Sequence, residues 1–119
     1  MPNPYGAPEL SPTELKPTAD GSEPFVWLDV REPWEFRKVQ IRNERVQLVP
    51  LSEIAERQLD ALPPAAQDKS ATIVVQCHHG VRSMQVAAFL SAQGFARVAN
   101  VAGGINAWSA ERDPRVPAY

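Results

Sequence analysis

One segment of the chain collects the residue types of nucleophilic chemistry: Cys77-His78-His79-Gly80-Val81-Arg82-Ser83. A cysteine reacts as a nucleophile when its surroundings favour thiolate over thiol, and this segment offers several such features. It follows the most apolar run of the chain, Thr72-Ile-Val-Val-Gln76, and precedes a helical pattern from Ser83 to Gln93. The backbone must pass from strand to helix across the five residues 78–82 and curl around the Cys77 side chain. Gly80 supplies the freedom for an unusual φ. The curl turns successive N–H groups inward as an anion nest, and the helix behind adds the positive end of its dipole. Arg82 adds a permanent positive charge. His78 and His79 make a polar, partly cationic rim for an anionic substrate. Such a cage suits a thiolate, and it suits equally an anion attached to the sulfur.

The bland reading is that Cys77 is a small buried hydrophobe, as most free cysteines are. Gly80, Arg82, Ser83 and the strand–loop–helix setting weigh against it. Ser83 can cap the helix, donate its hydroxyl to sulfur, or do both. Neighbouring loop side chains such as those of His78 and His79 diverge, and no carboxylate lies close in sequence, so no metal site and no cofactor is expected.

Elements must hold this loop in place. Phe25-Val-Trp-Leu-Asp-Val30 is a nearly continuous apolar run, as in a strand buried on both faces. Glu32-Pro-Trp-Glu-Phe36 opens a short helix, Arg45–Val49 reads as a weaker strand, and Ser52 starts a helix running to about Leu62. Its charges over Glu53–Asp60 form a solvated face. Arg97–Val101 reads as a strand, and Gly103-Gly104 leads a helix with Ile105 and Trp108. Ser11-Pro-Thr-Glu14 marks a short earlier helix. Strands alternating with helices predict a parallel α/β sheet whose site lies at the carboxyl ends of the strands. Cys77 and the pair Asp29 and Arg31 both fall at such ends. Asp29 and Arg31 read as a structural ion pair or a helix cap, and Trp34, Phe36 and Trp108 as core or pocket-wall aromatics.

Length and composition bound the function. The 119 residues make one domain, 1–119, with an extended lead over 1–8 and an extended tail over 113–119. Twelve Lys and Arg against fourteen Asp and Glu leave a net charge of −2, which argues against nucleic-acid binding by phosphate neutralisation and against a polybasic membrane surface. No apolar run reaches the ~20 residues of a membrane span, and no leader pattern is visible. A single cysteine excludes a disulfide framework and fits a reducing cytoplasm.

Three ordered motifs resemble the rhodanese family. Leu28-Asp-Val-Arg-Glu-Pro-Trp-Glu35 resembles its leading signature, Cys77–Ser83 its active-site loop, and Val101-Ala-Gly-Gly-Ile-Asn-Ala-Trp108 its closing segment. The resemblance implies a five-stranded parallel sheet with helices on both faces. It implies a sulfurtransferase in which Cys77 takes sulfane sulfur from an anionic donor such as thiosulfate, carries it as a persulfide and passes it to cyanide or a thiol. His78, His79, Gly80, Val81, Arg82 and Ser83 would bind the substrate, with Asp29 and Arg31 in support, and a sulfur-relay protein is a natural partner. Residues Val39–Arg45 depart from the family's Gly-His-Ile-Pro-Gly-Ala turn, only Ile41 matching, which leaves the pocket border open. Two alternatives stand. A cysteine phosphatase or arsenate reductase would place five residues between Cys and Arg, where this chain has four. A rhodanese-type docking module would need no cysteine at all.

Overall fold

The computed structural model describes residues 9–10, 25–38, 45–78, 80–101 and 104. The expected helix at Ser11, the segment 39–44, His79, Trp108, and the extended lead and tail lie outside them. In chain order the described elements are β1 (Glu9–Leu10), β2 (Val26–Asp29), α1 (Pro33–Lys38), β3 (Val46–Leu48), α2 (Leu51–Arg57), β4 (Thr72–Gln76), α3 (Val81–Ala92) and β5 (Arg97–Val101). Two short 3-10 turns, Gln58–Ala61 and Pro64–Ala66, join α2 to β4. The five strands form one sheet in the order β1-β5-β4-β2-β3, and every neighbouring pair is parallel. Four strands have three to five residues, and β1 is a two-residue edge.

This order explains the hydropathy of the strands. β2 and β4 lie at the centre, so both of their faces are covered, and both read as unbroken apolar runs. Val26, Leu28, Ile73 and Val75 point to one face, where Ile54 of α2 and Val86, Ala87 and Leu90 of α3 meet them in a single buried cluster. Trp27 and Val74 occupy the opposite face and are buried as well. β3, at an edge, is only part-buried, which accounts for its weaker pattern. Before β4, the Asp68 carboxylate accepts hydrogen bonds from the Ser70 N–H at 2.9 Å and its hydroxyl at 2.7 Å. These bonds hold its carboxyl below the usual range and close the turn that feeds the strand.

Strand order also decides where a site belongs. From β2 the chain moves outward to β3; from β4 it moves the other way, to β5. The connections leaving β2 and β4 therefore diverge at adjacent carboxyl ends, the crevice in which open α/β sheets bind ligands. The Val30 N–H donates to the Gln76 carbonyl at 2.9 Å, so the two strands stay paired up to the residues that open that crevice.

Some boundaries differ from the sequence reading. The helix expected from Ser52 to Leu62 is α-helical only as far as Arg57; Gln58, with φ of 54°, breaks it, and a separate 3-10 turn carries the chain on to Ala61. α3 begins at Val81, two residues before the expected Ser83. Trp34 is 58% exposed rather than a core or pocket-wall residue; the short α1 turns Glu35 inward and leaves its neighbour outside. Trp27 of β2 is fully buried and donates its indole N–H to Gln76 Oε1 at 2.8 Å. Trp27→Phe leaves that buried amide oxygen without its donor. The variant should lose about 1–3 kcal/mol in a denaturant melt, and an unchanged midpoint would show that the bond does not matter.

Candidate active site

Cys77 stands one residue beyond the last residue of β4 and is 1% exposed. Its position follows from the strand. Alternation along β4 puts Cys77 on the same face as Ile73 and Val75, the face that α3 covers. α3 starts four residues later, and Gly80 makes the junction with φ of 97°. That value lies in the left-handed region, where a side chain is strained. The resulting turn brings the Gly80 N–H to 3.0 Å from Cys77 Sγ. The Ser83 hydroxyl lies 3.4 Å from the same sulfur. The amino-terminal end of a twelve-residue helix thus faces the thiol, and its dipole favours negative charge there.

Ser83 is the third residue of α3, fully buried, and makes no capping bond; Gly80 is the cap residue. Of the two roles open to Ser83, contact with sulfur is the one present. Its one hydroxyl proton is shared between that sulfur and Asn100 Oδ1 of β5, the closer of the two acceptors. Asn100 in turn donates its amide to the Gly80 carbonyl at 3.1 Å. One buried side chain therefore holds the loop at Gly80 and at Ser83. Asn100 was not among the candidates from sequence. The signal was present as an amide inside the otherwise apolar Val98–Val101 strand, where a polar group needs a partner.

A second missed residue is Gly104, with φ of 60°. A Cβ built there would lie 2.6 Å from the His78 carbonyl oxygen and closer still to that of Cys77. No side chain fits without moving the loop backbone. The sequence reading saw Gly103-Gly104 only as the start of a helix.

On the other side of the crevice Asp29 and Arg31 form a fully buried ion pair, with Arg31 Nη2 at 2.7 Å from Asp29 Oδ2 and Arg31 Nε at 2.9 Å from Oδ1. Of their two readings, the structural ion pair is what the geometry contains. Gln76 donates to Asp29 Oδ2 at 3.3 Å, and Arg31 Nη1 donates to the Glu35 carbonyl at 3.4 Å. Glu35, a third residue not singled out from sequence, is buried and meets Arg82 in a two-pronged pair, Nη1 to Oε1 at 2.6 Å and Nη2 to Oε2 at 2.7 Å. Arg82, expected from sequence as a permanent positive charge beside the sulfur, has that charge paired by Glu35. Val81 is 59% exposed and belongs to the first turn of α3 rather than to the loop. His78 is half-buried at the start of the turn, and His79 lies outside the described residues.

The geometry offers a buried sulfur at a helix amino terminus, one backbone N–H and one hydroxyl directed at it, and no acid in contact with it among the described residues. That arrangement gathers hydrogen-bond donors and a helix end around the sulfur.

Comparison with known proteins decides the family. The Rhodanese-like domain description matches residues 11–111. This chain is a member of the rhodanese-like domain family. It is 34% identical over 107 residues to the putative sulfurtransferase YtwF of Bacillus subtilis, covering 90% of this chain and 95% of that protein. It is 33% identical over 101 residues to a sulfurtransferase of Allochromatium vinosum, covering 85% and 87%. It is also 33% identical over 108 residues to the adenylyltransferase and sulfurtransferase MOCS3-2 of Zea mays, where it covers 89% of this chain but only 22% of that longer protein. Among solved structures, a rhodanese-like domain protein of Staphylococcus aureus superposes with a TM-score of 0.71 at 28% identity, over 94% of this chain and 98% of that one. The rhodanese-like fold expected from the three motifs is therefore present, and no helix among the described residues is long and apolar enough to cross a membrane.

Two substitutions test the supports of this rhodanese loop. Gly104→Ala should displace the Cys77–His78 backbone and slow alkylation or sulfur loading of Cys77 by at least tenfold while the sheet stays folded by circular dichroism; wild-type rates would mean the contact is relieved elsewhere. Asn100→Leu removes both of its loop bonds while keeping the side chain's branched shape. It should cost about 1–3 kcal/mol and raise hydrogen exchange at the Gly80 amide, and unchanged exchange there would contradict its bracing role.

Proposed function

We propose that this rhodanese domain is a sulfurtransferase that moves sulfane sulfur from an anionic donor to a thiophilic acceptor through a persulfide on Cys77. The observation that carries the reading is the contact of the Gly80 N–H and the Ser83 hydroxyl with a buried sulfur at the head of α3. The sulfurtransferase names of relatives at 33–34% identity, spanning nearly their whole length, support the same class.

The chemistry runs in two displacements. The Cys77 thiolate attacks the outer sulfur of a donor such as thiosulfate. A new sulfur–sulfur bond forms at Cys77 as the donor's own breaks, and sulfite departs with the bonding pair. The terminal sulfur now carries the negative charge, and it lies where the loop donors and the helix end point. A nucleophile, cyanide or a thiolate, then attacks that terminal sulfur and takes it away. Cys77 returns as thiolate, and the cycle needs no metal or cofactor. Gly80, Ser83 and the loop backbone hold the anion, and His78, His79, Val81 and Arg82 border its approach. Asp29 and Arg31 act from below, fixing the end of β2. Four residues between Cys77 and Arg82 make a ring suited to a single sulfur rather than a tetrahedral phosphoryl group. Relatives named as a putative sulfur carrier protein and as MOCS3 make a protein donor or acceptor in a sulfur relay part of the proposal.

Intact-protein mass spectrometry tests it. Incubated with thiosulfate or glutathione persulfide, the protein should gain the mass of one sulfur atom and lose it when cyanide is added. Cys77→Ser should do neither. If the wild type gains nothing from thiosulfate, glutathione persulfide or a desulfurase, the transfer reading falls and a docking role replaces it.

A further inference from the structure

The permanent cation of the loop is committed before any donor arrives. Both terminal nitrogens of Arg82 are engaged by the two oxygens of Glu35. The Glu35 side chain is 5% exposed, that of Arg82 32%. Glu35 is itself fixed from elsewhere. Its Oε1 accepts the Glu32 N–H at 3.1 Å, and its backbone carbonyl accepts from the buried Arg31. A carboxylate held in this way cannot give up its partner cheaply, because release of Arg82 would leave a buried charge unpaired. The planar fork that would grip an oxyanion is thus already matched to one.

The consequence falls on the donor. Thiosulfate arrives as a dianion whose sulfonate end needs a cationic fork at the mouth. Here it meets an ion pair with no net charge and the Glu35 carboxylate behind it. An organic persulfide arrives with a single charge on the sulfur that enters the loop, where the Gly80 N–H is the receiving group. It asks nothing of Arg82.

Resting on the sulfurtransferase reading, we infer that Glu35 is a positioning residue that sets donor class: by holding Arg82 it selects organic persulfides, which present only a sulfur to the loop, over donors such as thiosulfate that bring a sulfonate to its mouth. Transfer from a persulfide is balanced within the site. The Cys77 thiolate attacks the outer sulfur, the donor's sulfur–sulfur bond breaks, and the donor leaves as a thiolate that keeps the bonding pair and takes its proton from water.

The test uses the full chain as wild type, Glu35→Gln and the double variant Glu35→Gln/Arg82→Gln. kcat/KM is measured for thiosulfate and for glutathione persulfide, with cyanide as acceptor. In Glu35→Gln the thiosulfate-to-persulfide ratio should rise about tenfold, the worth of one charge-assisted contact regained. In the double variant it should return to within about twofold of wild type. A ratio that stays level or falls in Glu35→Gln overturns the inference. So does a double variant that loses thiosulfate selectively, since Arg82 would then serve the donor despite Glu35. A second arm needs no sulfur transfer: inorganic sulfate is titrated as a protectant of Cys77 against iodoacetamide. The half-protecting concentration should fall about tenfold in Glu35→Gln, and equal values overturn the inference. If neither donor loads the wild type, the transfer reading fails while the sulfate arm still decides what Glu35 does. If Glu35→Gln does not fold, the electrically balanced double variant is compared with wild type: parallel donor and sulfate values support the inference, and a selective loss of thiosulfate or sulfate overturns it.

Discussion

Two acids and two bases are threaded through the crevice between β2 and β4, and the rest of the site is built around their neutrality. Asp29 and Arg31 are fully buried, Glu35 nearly so, and Arg82 completes the set at the surface. Burying charge in an apolar interior is costly unless every charge has both a counter-charge and its hydrogen bonds. Here the pairs are joined: Trp27 to Gln76, Gln76 to Asp29, Asp29 to Arg31, Arg31 to the Glu35 carbonyl, and Glu35 to Arg82. A fully satisfied polar chain of this kind is rigid, because any one rotation strands a partner in a dry environment. It ties the end of β2, the start of α1 and the first turn of α3 to one another, and those are the elements that border the Cys77 loop.

The loop has a second support on the opposite face of the sheet. There Asn100 reaches from β5 to Ser83 and to the Gly80 carbonyl. The sulfur therefore lies between two polar supports, one charged and one neutral, and most of its remaining surroundings are apolar core. This division has a chemical logic. The neutral support touches the sulfur through Ser83 and adjusts by turning a hydroxyl. The charged one stays a residue away, where its field is largely cancelled within itself.

How much of this could be read from the sequence depended on range. Short-range facts were legible. The turn at Gly80, the helix behind it, the strand ahead of it and the Asp29–Arg31 pair all follow from neighbours within a few positions, and the three ordered motifs named the fold. Long-range pairings were not legible. Glu35 and Arg82 are 47 positions apart, and Ser83 and Asn100 are 17. Nothing in spacing alone tells an arginine near the Cys77 loop whether it will face a ligand or a carboxylate. Trp34 failed for a related reason. An aromatic at the start of a six-residue helix has no periodicity long enough to declare its face, and the inward position went to Glu35 because Arg82 was there to receive it.

Gly104 bears on a different matter, the portability of the site. The seven residues from Cys77 to Ser83 look like a self-contained cassette, since they hold the cysteine, the turn glycine and the helix start. Yet the carbonyls of Cys77 and His78 lean on a residue beyond β5 that must lack a side chain. The loop takes its shape partly from a mould supplied by the chain's far end. Grafting the seven residues onto another strand–helix junction would carry the letters without the mould, and a transplanted Cys77 would find its sulfur in a turn free to relax. Within this chain, the same dependence links two distant segments as a single heritable unit: a change at one is tolerated only as far as the other allows.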